Sequence, residues 1–135
     1  MNLMFRLNRD LARLCAKFPQ YRASLNEVHH IHKLDKPSGT AITLAEGILA
    51  EHAGYEKWVC DPRKPVSNGT LPVTTHREGD VKGIHTAVWK SNLDEVSISH
   101  HAISRDAFAQ GALVAAEWLI GRKGIYSFED ILGGV

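Results

Sequence analysis

The stretch Glu27-Val28-His29-His30-Ile31-His32-Lys33-Leu34-Asp35-Lys36-Pro37-Ser38-Gly39-Thr40 holds the densest chemistry in the chain. His29, His30, His32 and Lys33 put four basic groups within five residues. His29 and Lys33 are four apart, a spacing that shares one side of a strand or a helix, so they read as a facing pair. Like charges about 4 Å apart repel by about 1–4 kcal/mol at effective dielectrics of 80 to 20, so each group opposes its neighbour's protonation. A dianionic ligand reverses that balance, and the cluster reads as an acid–base pair primed by an anionic substrate. Just downstream, Ser38-Gly39-Thr40 opens a helix. The glycine admits a ligand close to the backbone, the hydroxyls add donors, and the free N–H groups of a first helical turn favour an anion. Together these features describe a site for a small carboxylate compound.

Other readings of the same residues are structural. Ser38 or Thr40 can simply cap the helix. His30 and His32 have the spacing of two metal ligands on one strand face, which gives a metal-dependent alternative, but no third ligand is fixed nearby and no metal is expected. His85 reads as a satisfied strand residue, with a partner role to the cluster as the alternative. His100 and His101 must face opposite sides of their strand. Trp58, Trp89 and Trp118 read as core or interface residues.

The elements that position these residues follow from periodicity. Leu3, Leu7, Leu11, Leu14 and Phe18 mark an amphipathic first helix, with Cys15 packed on its apolar side and Pro19 beyond its end. Ser24 to Ile31 reads as a strand. Ala41, Leu44, Ala45, Ile48 and Leu49 mark a second helix. Lys57 to Gly69, with two prolines and no periodicity, reads as a loop. Three alternating segments (Leu71–Thr75, Ile84–Val88 and Val96–His100) read as meander strands joined by turns at Glu78-Gly79-Asp80 and Ser91–Asp94. Ser104 fits the start of a third helix and Gly121 its end, and Ser127 with Asp130 resembles a capping box. The predicted fold is α+β: a mixed four-stranded sheet with helices on one face and the other face left for an oligomeric contact.

With 135 residues, 44% hydrophobic and 23% charged, the chain is an ordinary globular length for one domain spanning 1–135. Sixteen basic against fifteen acidic residues leave +1, which argues against binding nucleic acid by mass phosphate neutralisation. No apolar run reaches the ~18–20 residues of a membrane span, and the N-terminus lacks a signal-peptide layout, so the cytoplasm is the expected compartment. Cys15 and Cys60 alone cannot build a thiolate zinc site. No two glycines are two residues apart, so no Gly-x-Gly-x-x-Gly turn is present.

The segment Glu27–Ala41 closely resembles the signature of the dihydrodipicolinate reductase (4-hydroxy-tetrahydrodipicolinate reductase) family, E-x-H-H-x-x-K-x-D-x-P-S-G-T, and meets every specified position. Arg77–Thr86 resembles the family's R-x-G-x-x-x-G-x-H-T strand motif, and Ser104–Ala112 its S-R-x-x-F-A-x-G-A helix start. The resemblance covers the later part of such enzymes and implies a substrate-binding and tetramerisation domain. Residues from about 107 to 135 would return to an N-terminal dinucleotide-binding domain that these residues do not include. It implies that His29 is the acid–base histidine and Lys33 the proton donor. His30, Ser38, Gly39 and Thr40 would hold the carboxylates of a cyclic dicarboxylate, and Arg105 and Phe108 would approach the nicotinamide end of NADPH or NADH. In the family, hydride passes to a cyclic imine-diene and a proton completes the reduction, within lysine and diaminopimelate synthesis. A homotetramer is implied, and feeble or absent reductase activity is expected of these 135 residues alone. The rival reading is a non-catalytic dicarboxylate-binding or oligomerisation module.

Overall fold

Alternation in β1 (Arg22–His29) sends Ala23, Leu25, Glu27 and His29 to one face, and all four are buried. The structure, a computed structural model, describes residues 2–133. Met1, Gly134 and Val135, part of the single domain expected over 1–135, lie outside the described residues. Helix α1 (Asn2–Cys15) precedes β1 and helix α2 (Gly39–Glu51) follows it. Four strands come next: β2 (Lys57–Cys60), β3 (Thr70–Arg77), β4 (Ile84–Lys90) and β5 (Glu95–His101). Helices α3 (Asp106–Leu119) and α4 (Phe128–Leu132) complete the chain.

The sheet has five strands in the order β2-β3-β1-β4-β5, not four. The extra strand, β2, lies in the segment that reads as a loop. It is four residues long, too short to show a period, and exists because β3 offers a parallel edge that pairs Trp58 with Leu71 and Cys60 with Val73. The expected three-strand meander is also broken. β4 and β5 form a hairpin whose turn is tied by Ser91 Oγ, which accepts from the Leu93 and Asp94 N–H groups at 3.1 Å each. Between β3 and β4, however, lies β1, parallel to β3 and antiparallel to β4. A parallel pair needs a crossover connection, and α2 lies in the one between β1 and β3. The consequence is functional, because β1 ends in the middle of the sheet with strands on both sides.

Helices α1 and α2 cover one face, where Leu25, Val73, Ala87 and Trp89 meet Leu44, Ala45 and Ile48 in a single core. Of the predicted stripe only Leu11 packs against that core: Leu3, Leu7 and Leu14 of α1, and Phe18 beyond its end, are exposed. The buried side is Met4, Asn8, Ala12 and Cys15. Close helix approach selects it, since Asn8 Nδ2 donates to Leu44 O at 2.9 Å and a Cβ on Gly47 would come within 3.2 Å of Arg9 Cγ. On the opposite sheet face Asn26, Val28, Thr86 and Val88 are only half-buried. Helix α3 has no buried residue, and α4 reaches α1 through an Arg9–Glu129 ion pair at 3.1 Å. No helix among the described residues is long and apolar enough to cross a membrane.

Candidate active site

The central position of β1 brings three strands and a helix end together. Register sets Glu27 opposite Thr75 of β3 and His85 of β4, and His29 opposite Arg77. The Ser38 N-cap of α2 closes the group from above. Glu27 is completely buried, and a buried carboxylate has to be satisfied. Arg77 supplies both terminal nitrogens to Oε1 at 3.2 Å, and the Ser38 N–H donates to Oε2 at 3.0 Å. Burial by itself would raise the Glu27 pKa. The neighbouring His85 imidazole and the Ser38 N–H overcome that and bring it down to about 2.

Around Oε2 sit two imidazoles. His85 Nε2 is 3.7 Å from it and His29 Nε2 3.8 Å, and the two nitrogens are 3.2 Å apart. His85 Nε2 is also 3.0 Å from Ser38 Oγ, which accepts from the Ala41 N–H at 3.2 Å. Burial lowers the His29 pKa, and His85, Lys33 and Arg77 lower it further, against the opposing pull of Glu27. His29 therefore rests neutral at pH 7. Glu27, His29 and His85 have the spacing of a three-ligand metal group. Arg77 already compensates the carboxylate, so the hydrogen-bond network accounts for their proximity without an ion.

The rim is built from the turn after β1. That strand stops at His29, so the same-side argument for Lys33 does not hold: Lys33 lies beyond a turn closed by its own N–H to His30 O at 3.2 Å. Its ammonium is paired with Asp35 at 2.8 Å, yet it still stands close enough to His29 to act on it electrostatically. Arg77 holds this turn by donating to the Lys33 carbonyl at 3.2 Å and the Asp35 carbonyl at 2.7 Å. Ser38 is turned inward and buried, with both N–H and hydroxyl committed. Gly39 and Thr40, first in α2, keep the outward N–H groups of the first turn, and open space lies where a Gly39 side chain would be. His30 is half-buried, and His32 is exposed with its ring 6.3 Å from that of His30. Asp80 is held low mainly by the Lys82 ammonium at 2.6 Å, with His30 and Arg105 near enough to add weaker pulls. Phe108 is half-exposed at the start of α3.

Sequence reasoning misses Glu27 and Arg77 as individual participants and reads His85 as structural. The available signal is a lone acid and a lone histidine alternating into a hydrophobic strand face, at Glu27 among Ala23 and Leu25 and at His85 beside Ala87 and Trp89. A charge at such a position requires a partner from another strand. Of the remaining pair, His100 lies opposite His85 on the covered face and His101 is exposed on the other.

The family model described as dihydrodipicolinate reductase, C-terminus, matches residues 1–132. The chain is 40% identical over 132 residues to a protein of Christiangramia forsetii named 4-hydroxy-tetrahydrodipicolinate reductase, covering 98% of this chain and 54% of that one. It is 40% identical over 141 residues to the protein of the same name from Methanopyrus kandleri, covering 99% and 50%. The chain thus spans about half the length of the curated relatives it matches. A solved dipicolinate-bound dihydrodipicolinate reductase from Paenisporosarcina sp. TG-14 has the same fold over 93% of this chain and 49% of its own, with a TM-score of 0.70 at 22% identity.

Proposed function

This chain belongs to the dihydrodipicolinate reductase family, matching its C-terminal part, and on that premise we propose that it carries the substrate-binding and proton-handling site of a 4-hydroxy-tetrahydrodipicolinate reductase. The substrate is a cyclic dicarboxylate, reduced in the cytoplasm on the way to diaminopimelate and lysine. The observation that carries this reading is that the turn after β1 keeps Lys33 near His29 while the N-cap of α2, Ser38, sits on the buried, charge-compensated Glu27, so that the start of α2 and the His29–Lys33 pair share one site. One carboxylate sits on the Gly39 and Thr40 amides at the α2 N-terminus, with Ser38 fixing that turn from inside. His30 takes the other, and His29 with Lys33 forms the pair that handles the proton.

The hydride of such a reaction comes from NADPH or NADH. These residues do not form the seat for the whole of that cofactor: they contain no Gly-x-Gly-x-x-Gly turn, and Arg105 and Phe108 are exposed positions that reach only its nicotinamide end. What these residues contribute is therefore confined to the substrate side. In this reading the surface from about residue 107 onward meets the nucleotide-binding domain, and the half-buried sheet face pairs subunits in a homotetramer.

Calorimetric titration with pyridine-2,6-dicarboxylate, a planar mimic of the diacid, tests the proposal. Saturable binding that Lys33→Ala weakens at least about tenfold is expected for loss of one charge-assisted contact. Binding that Lys33→Ala leaves unchanged would take Lys33 out of the site and favour the plain binding module.

A further inference from the structure

Glu27 and His85 touch no part of the rim, yet they determine where the protons lie on His29. His85 Nδ1 is buried without a hydrogen-bond partner among the described residues. A buried N–H left without an acceptor costs about 1–3 kcal/mol, so the proton of His85 belongs on Nε2. There it faces Ser38 Oγ at 3.0 Å, His29 Nε2 at 3.2 Å and the Glu27 carboxylate at 3.7 Å, all of which can accept. A second N–H cannot oppose it across 3.2 Å. His29 Nε2 is therefore the lone pair, and the His29 proton sits on Nδ1. That side of the ring lies against Gly83, where a Cβ would come within 3.0 Å of Cε1 and 3.4 Å of Nδ1. Gly83, at φ +151°, thus leaves this edge of His29 without a covering side chain.

We infer that Glu27 and His85 are positioning residues that lock His29 in its Nδ1–H tautomer, so that His29 meets the ligand as a neutral hydrogen-bond donor while Lys33 releases the proton. Losing the Nδ1 proton from this state would leave an imidazolate. Gaining a second proton would set an Nε2–H against that of His85. The charged and titratable groups that face His29 are Glu27 on its own strand, Arg77 of β3, His85 of β4 and Lys33 of the turn. The one carboxylate among them spends Oε1 on Arg77 and takes the Ser38 N–H on Oε2, and its pull on His29 is outweighed by burial and by His85, Lys33 and Arg77. Lys33 gives one proton from its ammonium to the ligand and is left as a neutral amine. The tautomer lock stands on the geometry alone; only the division of labour rests on the function proposed above.

Long-range nitrogen–proton NMR of the histidine-labelled chain at neutral pH reads the tautomers without any substitution. A protonated Nδ1 on His29 and a protonated Nε2 on His85 are expected, and a His29 protonated on Nε2 overturns the inference. Adding pyridine-2,6-dicarboxylate should move the His29 Nδ1–H resonance while Nε2 stays unprotonated; a doubly protonated His29 in the complex overturns the assignment of the proton to Lys33. His85→Gln, which keeps a donor, should hold the tautomer and bind within about threefold of wild type, whereas His85→Phe should release it and weaken binding about tenfold. Failure of the ligand to bind while the expected tautomers are seen counts against the substrate reading and leaves the lock in place.

Discussion

Arg77 is the residue on which most of the site depends. It neutralises a carboxylate with no exposure to water and holds the turn that carries Lys33. Truncating one partner of a buried ion pair leaves the other uncompensated, so Arg77→Ala should cost about 3–5 kcal/mol in urea unfolding and abolish dicarboxylate binding. Glu27 gives the pH dependence. Its pKa falls from an ordinary 4.5 to about 2 on folding, so the unfolded chain takes up the proton first as pH drops. That stabilisation is complete above pH 4.5 and is lost as pH falls towards 2, by on the order of 3 kcal/mol. The depressed pKa of His29 acts in the same direction, beginning as pH falls through its ordinary range near 6.5. The urea midpoints of wild type and Glu27→Gln should therefore converge as pH is lowered from 4.5 to 2; a constant gap would show that the carboxylate is not held as described.

At the scale of elements, α2 joins the site to the core. Its buried side, Ala41, Leu44, Ala45 and Ile48, is anchored under α1, while its first turn presents Gly39 and Thr40 to the rim. Ser38 couples the two by capping Ala41 and touching both His85 and Glu27. Ser38→Ala should cost about 1 kcal/mol or more of stability for the lost cap and remove an acceptor from His85. Thermal unfolding alongside the ligand titration checks this, with a neutral effect on both arguing against the coupling. The Ser127–Asp130 pair does form, its carboxylate accepting from the Ser127 N–H at 2.6 Å. Ser104 does not cap α3: the N-cap is Arg105, which makes no side-chain cap bond, and Ser104 one residue earlier only accepts from the Asp106 N–H at 3.0 Å.

For the whole molecule the notable quantity is the apolar surface still open. Leu3, Leu7 and Leu14 on α1 and Leu113, Val114 and Ile120 at α3 and its end are exposed, and the uncovered sheet face presents Val28 and Val88 half-buried. Apolar surface on this scale marks contact surfaces. If the sheet face pairs subunits as proposed, sedimentation velocity should show an oligomer that Val88→Arg breaks into smaller species without unfolding it. A wild-type chain that is monomeric at tens of micromolar would remove the tetramer from the proposal.

Short-range chemistry was legible in the sequence: a strand through His29 (read on to Ile31, two residues past its end), the Ser38-Gly39-Thr40 helix start, the β4–β5 hairpin, and the family signature that links them. These depend on residues a few positions apart, where alternation, caps and turn residues act through local sterics and hydrogen bonds. Periodicity identified α1 as amphipathic but not which side is buried, because the choice of Met4, Asn8, Ala12 and Cys15 is made by Leu44 and Gly47 of another helix. Likewise, only the tertiary structure placed β1 between β3 and β4. That pairing joins Glu27 to Arg77, fifty residues away, and to His85. A buried charge finds its partner through long-range strand register, which no local pattern encodes.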